Sequence, residues 1–253
     1  MLKNFIPSNE ASPGSRLWWR YLTASKMAQA ACLNTYGGGP HSIWFDSVLG
    51  IGKDISNEPA IQHGVMYEPH IRTLTAQLFG VFSAETYGMF LMNEEVPFVA
   101  LGDFAWQENW KKLAATPDGL VADGDSILEI KAPYSKHTTD FDIPLPHYVQ
   151  IQMTMFVTGR QFAYYAILVL DGADEIIRLR RYRFNDLFVN NVLGWADNML
   201  TAWGDASKGN IVPTRCNKRK ERMELSKSII HDPIYDSGAI VVPIPLTYGE
   251  QNV

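Results

Sequence analysis

Apolar residues follow a helical spacing in some stretches of the chain and alternate with polar ones in others. Over residues 58–80 (EPAIQHGVMYEPHIRTLTAQLFG), Ile61, Val65, Leu74 and Leu78 give a rough helical repeat that ends at Gly80, a natural C-cap. Pro69 lies inside this span and predicts a kink or a helix restart. Residues 23–33 (TASKMAQAACL) predict a shorter helix with Thr23 or Ser25 as its N-cap, followed by a break at TYGGGP (35–40). Strand character takes over at 84–92 and, after a polar Trp-containing excursion at 102–111, returns at 112–121 and 126–133. The ADGD turn (122–125) between the last two predicts a hairpin. A helix at about 146–158 ends at Gly159. A second hairpin joins 162–170 to 175–184 across DGAD, and 185–204 form the last helix of the core. This order predicts an α/β fold, a mixed central β-sheet flanked by helices. Residues 1–15 read as an irregular lead-in, 16–204 as the principal domain, and 205–253, rich in Pro, Gly and charge, as a C-terminal tail or extension.

Composition narrows the class only a little. A chain of 253 residues holds one large α/β domain, and 46% apolar with 19% charged residues excludes wholesale disorder. The formal charge of −5 is neutral evidence about a polyanionic partner, since a metal-binding site would itself gather carboxylates and any basic surface would be local. The two cysteines, Cys32 and Cys216, show no CxxC or metal spacing, which suits a reducing cytosol and excludes a disulfide framework or a cysteine-built zinc site. Met1 to Glu10 lack a secretory pattern and no stretch approaches a membrane span, so an intracellular location without a membrane partner is expected.

The chemistry is concentrated in TPDGLVADGDSILEIKAPY (116–134). Glu129 and Lys131 are two apart on a strand and share one face, while Leu128, Ile130 and Ala132 take the apolar other face. Placing an acid and a base on a central strand is costly unless they pair or bind something. Asp118 reaches Glu129 through the hairpin, and two adjacent carboxylates favour a cation between them. All-oxygen ligands point to Mg²⁺, with Mn²⁺ as the alternative, and Lys131 would orient or help deprotonate a water. An ordinary hairpin with a surface Glu–Lys pair would need only E-x-K. The P-D-G before the turn and the apolar flanks argue against it.

These residues resemble the core of the PD-(D/E)xK nucleases, and specifically the lambda-exonuclease/YqaJ-like viral recombinase family. There S-P-D-G-L precedes L-E-x-K-x-P by a short turn. Here Thr116-Pro117-Asp118-Gly119-Leu120 precedes Leu128-Glu129-Ile130-Lys131-Ala132-Pro133. RYLTASKM (20–27), GVMYEPHIR (64–72) and VQIQMTMFVTGRQFAYY (149–165) resemble three further family elements in the same order, so the likeness spans roughly residues 16–200. The resemblance implies a restriction-endonuclease-like fold and makes Glu68 a third carboxylate at the metal. Taken alone, Glu68 reads better as an exposed helical residue paired with Arg72 at i+4. Gln150 and Gln152 face different directions on their helix, so at most one reaches the site, and the resemblance selects Gln150. Ser25, at a predicted helix N-terminus, either binds a phosphate or simply caps. The family uses this element, with a preceding Arg, for a terminal 5′-phosphate. That implies a site formed by Ser25 and Thr23 with Arg20, although the Arg-to-Ser interval is shorter here and leaves Arg16 as the alternative.

The resulting expectation is a Mg²⁺-dependent exonuclease acting 5′ to 3′ on double-stranded DNA. Asp118, Glu129, Glu68 and the Ile130 carbonyl would be ligands, Lys131 would position water and Gln150 would support it. The resemblance further implies a role in phage or viral recombination or genome processing, a single-strand-annealing partner protein and a homotrimer. An endonuclease of the same fold acting on DNA or RNA, or a catalytically silent DNA-binding module, are the competing readings. The basic run RCNKRKER (215–222) is either a solvated tail or a contact to the DNA backbone, the former being preferred. His137 and His147 read as ordinary polar positions, and Cys32 as no nucleophile.

Overall fold

The computed structural model describes residues 5–7, 21–35, 40–43, 57–86, 88–92, 113–134, 143–171, 174–207 and 218–243. In chain order the elements are β1 (Phe5–Pro7), β2 (Leu22–Thr23), a 3₁₀ turn (Ala24–Lys26), α1 (Met27–Ala30), α2 (Pro40–Ile43) and α3 (Pro59–Phe79). β3 (Ser83–Glu85), β4 (Gly88–Leu91), β5 (Leu113–Ala115), β6 (Gly119–Val121), β7 (Ser126–Lys131) and α4 (Leu145–Thr158) come next. The chain continues through β8 (Phe162–Asp171), β9 (Asp174–Arg183), α5 (Asp186–Ser207), α6 (Arg219–Ile229), β10 (Tyr235–Asp236) and β11 (Ile240–Pro243).

The principal sheet runs β10-β9-β8-β7-β6-β3, with β11 also on β9. It is mixed, because β7 and β8 are parallel while the other neighbours are antiparallel. A second sheet, β1-β4-β5-β2, contains a parallel β2–β5 pair. Strand alternation divides the principal sheet into two buried faces. Ile127, Ala163, Tyr165, Ile167 and Val169 pack with Tyr148, Val149 and Ile151 of α4. Leu128, Ile130, Ala166 and Leu168 pack with Ile71 and Leu74 of α3. The expected mixed sheet flanked by helices is what forms.

Local chemistry accounts for the helix limits. Pro59 occupies the first turn of α3, where its missing N–H costs nothing, and Gly80 closes the helix at φ 67°. Gly159 ends α4 in the same left-handed way at φ 70°. The alternative of a restart at Pro69 does not occur, and α3 runs through it as one element. The carbonyl of Val65 loses its partner there, but Val65 is 67% exposed and solvent can serve that turn.

Four expectations change. The helix over 23–33 contracts to the 3₁₀ turn and the single turn of α1, and Cys32, at φ 62°, lies just beyond its end. The stretches 84–92 and 112–121 each divide between the two sheets: β3 pairs with β6, whereas β4 pairs with β5. Cys32 is not a free thiol but is engaged in a disulfide. Such a bond depends on proximity in the fold, which neither cysteine count nor spacing discloses. Within 205–253, α6 and two strands are ordered, and both strands pair with β9. Of the basic run, Arg219 donates to the Asn34 carbonyl at 2.6 Å and Arg222 to that of Ala31 at 3.1 Å, so these two are not free in solvent. Residues 215–217, His137, Arg16, Arg20 and the excursion at 102–111 lie outside the described residues. Among the described residues, no helix is long and apolar enough to cross a membrane.

Candidate active site

The site forms where β6 parts from β7. The two strands are paired at Gly119–Leu128 and Leu120–Ile127, one step short of Asp118. Beyond that point Asp118 Oδ2 accepts the Ile130 N–H at 2.6 Å, so a carboxylate takes the place of the missing strand. An extended residue directs its N–H and C=O to the same strand edge. The Ile130 carbonyl therefore opens toward Asp118 as well.

Glu129 and Lys131 share the face turned toward α4. Glu129 is fully buried, and its Oε1 accepts hydrogen bonds from Lys131 Nζ and from Gln150 Nε2, the latter at 2.5 Å. Its Oε2 is buried without a hydrogen-bond partner among the described residues. Gln152 points elsewhere, as its position predicts. It donates to the Arg183 carbonyl at 3.0 Å and accepts the Asn185 N–H at 2.8 Å, tying α4 to the start of α5.

Glu68 and Arg72 approach from α3. Arg72 donates to Glu68 Oε1 and to the Asp118 carbonyl, both at 2.7 Å, and so bridges helix and turn. This bridge explains the glycine of P-D-G. A Cβ at Gly119 would lie 2.8 Å from Arg72 Nη1 and 2.9 Å from Ser83 Oγ, closer than side chains can pack. Glu68 is thus held in the i+4 ion pair that its sequence position also allows.

Electrostatically the cluster is under tension. Burial, then the Asp118 charge, pushes the Glu129 carboxyl up to about 8. Burial also raises Asp118, against the opposing pull of Lys131, the Ile130 N–H and Arg72. Glu68 is raised by burial and by Asp118. Burial works to lower Lys131, but Glu129 and Asp118 outweigh it and hold the ammonium above its ordinary value. The donor set suits a hard divalent cation: carboxylate oxygens that repel one another, one of them orphaned, beside a backbone carbonyl. Among the described residues, however, no three acidic, His or Cys side chains converge to hold a metal. Glu68 would have to leave Arg72 to complete such a set.

Sequence reasoning missed two neighbours. His147, which reads along the chain as an ordinary polar residue, lies one helical turn before Gln150, and its Nδ1 is 2.8 Å from Tyr165 Oη. Tyr165 stands beside Glu129 in the β7–β8 register and is completely buried. Burial, then the Lys131 charge, lowers His147 to about 3, so it is a neutral ring at neutral pH. The i,i+3 relation of His147 to Gln150 is the one signal that could have found it.

Of the predicted phosphate-binding element, Thr23 and Ser25 lie within the described residues and Arg20 does not. Thr23 Oγ1 and Ser25 Oγ are 3.0 Å apart, and Ser25 is exposed. Thr23 makes no side-chain cap bond, and Ser25 sits within a 3₁₀ turn of three residues. The long helix whose dipole would favour an anion is therefore absent here.

A helix-flanked mixed sheet, opened at one strand edge around two carboxylates and a lysine, defines the nucleases of the restriction-endonuclease-like fold. The chain belongs to the YqaJ-like viral recombinase family, whose domain model matches residues 17–161, more than half of its length. No functionally curated protein matches it. Among solved structures it is similar to an alkaline exonuclease, LHK-Exo, from Laribacter hongkongensis. The TM-score is 0.53 and the identity 20%, over 77% of this chain and 97% of that one. The structure of LHK-Exo in complex with dAMP gives a TM-score of 0.53 and 19% identity over 76% and 91% of the two chains. A phage-related exonuclease from Haemophilus somnus 129PT gives 0.51 and 8% over 75% and 95%. At these identities the likeness is one of fold.

Proposed function

We propose that the chain is a Mg²⁺-dependent deoxyribonuclease, with Mn²⁺ as the alternative ion, that degrades double-stranded DNA ends from 5′ to 3′. The observation that carries this reading is Glu129: a fully buried carboxylate with one oxygen bound by Lys131 and Gln150 and the other, near Asp118, without a partner among the described residues. Asp118, Glu129 and the Ile130 carbonyl would hold the ion, and Glu68 would join them on leaving Arg72. When bound, the ion supplies charge stabilisation on the phosphate and lowers the pKa of water.

The protein's own groups account for positioning. Asp118 is oriented by the Ile130 N–H and Glu129 by Gln150, so both carboxylates are aimed before substrate arrives. Lys131, bonded to Glu129 at the edge of the acidic cluster, would orient or help deprotonate the attacking water and steady phosphate charge. Attack at phosphorus breaks the bond to the leaving oxygen and frees a nucleotide. Ser25 and Thr23, with Arg20, would receive the 5′-phosphate. Work in phage or viral recombination, an annealing partner protein and a homotrimer belong to the same reading by family.

The test is digestion of linear duplexes bearing 5′-phosphate or 5′-hydroxyl ends, alongside a closed circle. With Mg²⁺ the phosphorylated linear duplex should be degraded fastest, the circle should stay intact, and EDTA should abolish release. Cutting of the circle would establish an endonuclease, and equal rates on the two ends would remove the role given to Ser25, Thr23 and Arg20. An undegraded but bound duplex would make the chain a silent binding module.

A further inference from the structure

Three aromatic side chains outside the acidic cluster form a group at its border. His63 and Tyr67, one turn apart on α3, stack with ring centroids 4.6 Å apart and tilted by 36°. Tyr134 meets His63 edge-on at 5.6 Å. His63 Nδ1 lies 3.1 Å from the Ala132 carbonyl, which fixes the ring against the segment leaving β7. The group is thereby tied to both elements that carry the acidic site: Ala132 directly follows Lys131, and Tyr67 directly precedes Glu68.

The fold makes little use of the outer part of this group. Tyr134 is 61% exposed, and Val65 and Met66, between His63 and Tyr67 on α3, are 67% and 65% exposed. A large aromatic ring left open in this way, beside an edge contact to His63, offers a flat apolar surface to a ligand. Nucleobases are such ligands, and stacking on an aromatic tolerates any base because every base has a π-face. A paired base within the duplex has both faces covered, so stacking requires a base freed from its neighbours.

We propose that His63, Tyr67 and Tyr134 form a stacking subsite for one unpaired nucleobase of the strand entering the Asp118–Glu129–Lys131 site. This deepens the nuclease reading and rests on it for the identity of the ligand as DNA. The subsite holds the end of the strand open, so that a frayed terminus is a better substrate than a blunt one. Tyr134 supplies the exposed ring, and His63 and Tyr67 are positioning residues that act through it.

The experiment measures binding in EDTA, without cleavage, using short oligonucleotides with 2-aminopurine or an abasic site at successive positions from the end. At one position 2-aminopurine fluorescence should be quenched on binding, and the abasic site there should weaken binding about tenfold. Tyr134→Ala should raise Kd by a similar factor and abolish both the quenching and the further effect of the abasic site. Tyr134→Phe should restore wild-type behaviour. If abasic sites have small, uniform effects in the wild type, or if the effects of Tyr134→Ala and the abasic site simply multiply, the subsite is overturned. The abasic scan on wild type decides the matter even should a variant fold poorly. Nucleotide release with Mg²⁺ is measured separately. Release with no position-specific stacking overturns the subsite alone, whereas stacking without release overturns the nuclease reading and leaves a base-binding surface.

Discussion

Two clusters of carboxylates and cationic side chains behave in opposite ways. On the outer side of β9, Asp236 accepts Arg178 Nε at 2.7 Å, Arg180 Nε at 3.0 Å and the Gly238 N–H at 3.0 Å, besides a second bond from Arg178. Bonding to Arg178, first among several causes, holds the Asp236 carboxyl far below its usual range. At the β6–β7 opening, Asp118 and Glu129 are raised instead, chiefly by burial, and one Glu129 oxygen has no partner among the described residues. The first cluster is complete in itself and joins the C-terminal strands to the sheet. The second is arranged as a site is, with charge held ready for something that the chain does not supply.

The largest effect that should separate the two is catalytic. Lys131→Ala should lower the rate of nucleotide release by roughly 10²–10³-fold, while Asp236→Ala should leave kcat unchanged. Comparable losses in both variants would erase the distinction drawn between them. Next comes packing: Gly119→Ala, which forces Arg72 away from the Asp118 turn, should cost about 1–3 kcal/mol of stability by denaturant titration. Asp236→Ala should cost less, about 1–2 kcal/mol, since its ion pairs are partly open to solvent.

Of opposite sign in the two clusters is the dependence on pH without divalent metal. Glu129 binds its proton more tightly when folded, so between an unfolded value of about 4.3 and its folded value of about 8 the native state carries the extra proton. Stability should therefore fall as pH rises through that window. Glu129→Gln should flatten the decline, raise Tm near pH 8 and abolish activity. Asp236 is depressed when folded. Its contribution is fully present above an unfolded value of about 3.9 and disappears as pH falls below it. Thermal melts of wild type, Glu129→Gln and Asp236→Ala from pH 3 to 9 would read both slopes. A Tm of the metal-free wild type that rises from pH 5 to 8 would contradict the tension assigned to the site.

Much of this contrast is visible along the chain. Glu129 and Lys131 are neighbours because a strand alternates, Gln150 is separated from Gln152 by the helical rotation, and Gly80 and Gly159 stop their helices by local chemistry. These are short-range rules that sequence spacing expresses directly. His147 reads as ordinary because nothing local marks a histidine that meets Tyr165, eighteen positions away, beneath Glu129. The strand-like stretches 84–92 and 112–121 give no sign that each divides between two sheets, since pairing partners are chosen at long range.

The sequence by itself determined the mixed α/β class, the shared face of Glu129 and Lys131, and the turn that brings Asp118 near them. Periodicity and turn chemistry act over a few residues and need no tertiary context. Only the tertiary structure decided that Arg72 bridges Glu68 to the Asp118 turn, that Gly119 is required by the closeness of Arg72 and Ser83, and that the last strands complete the sheet at β9. It also decided the direction in which the carboxylates titrate. Burial and neighbouring charge set that direction, and both come from segments far apart in the chain.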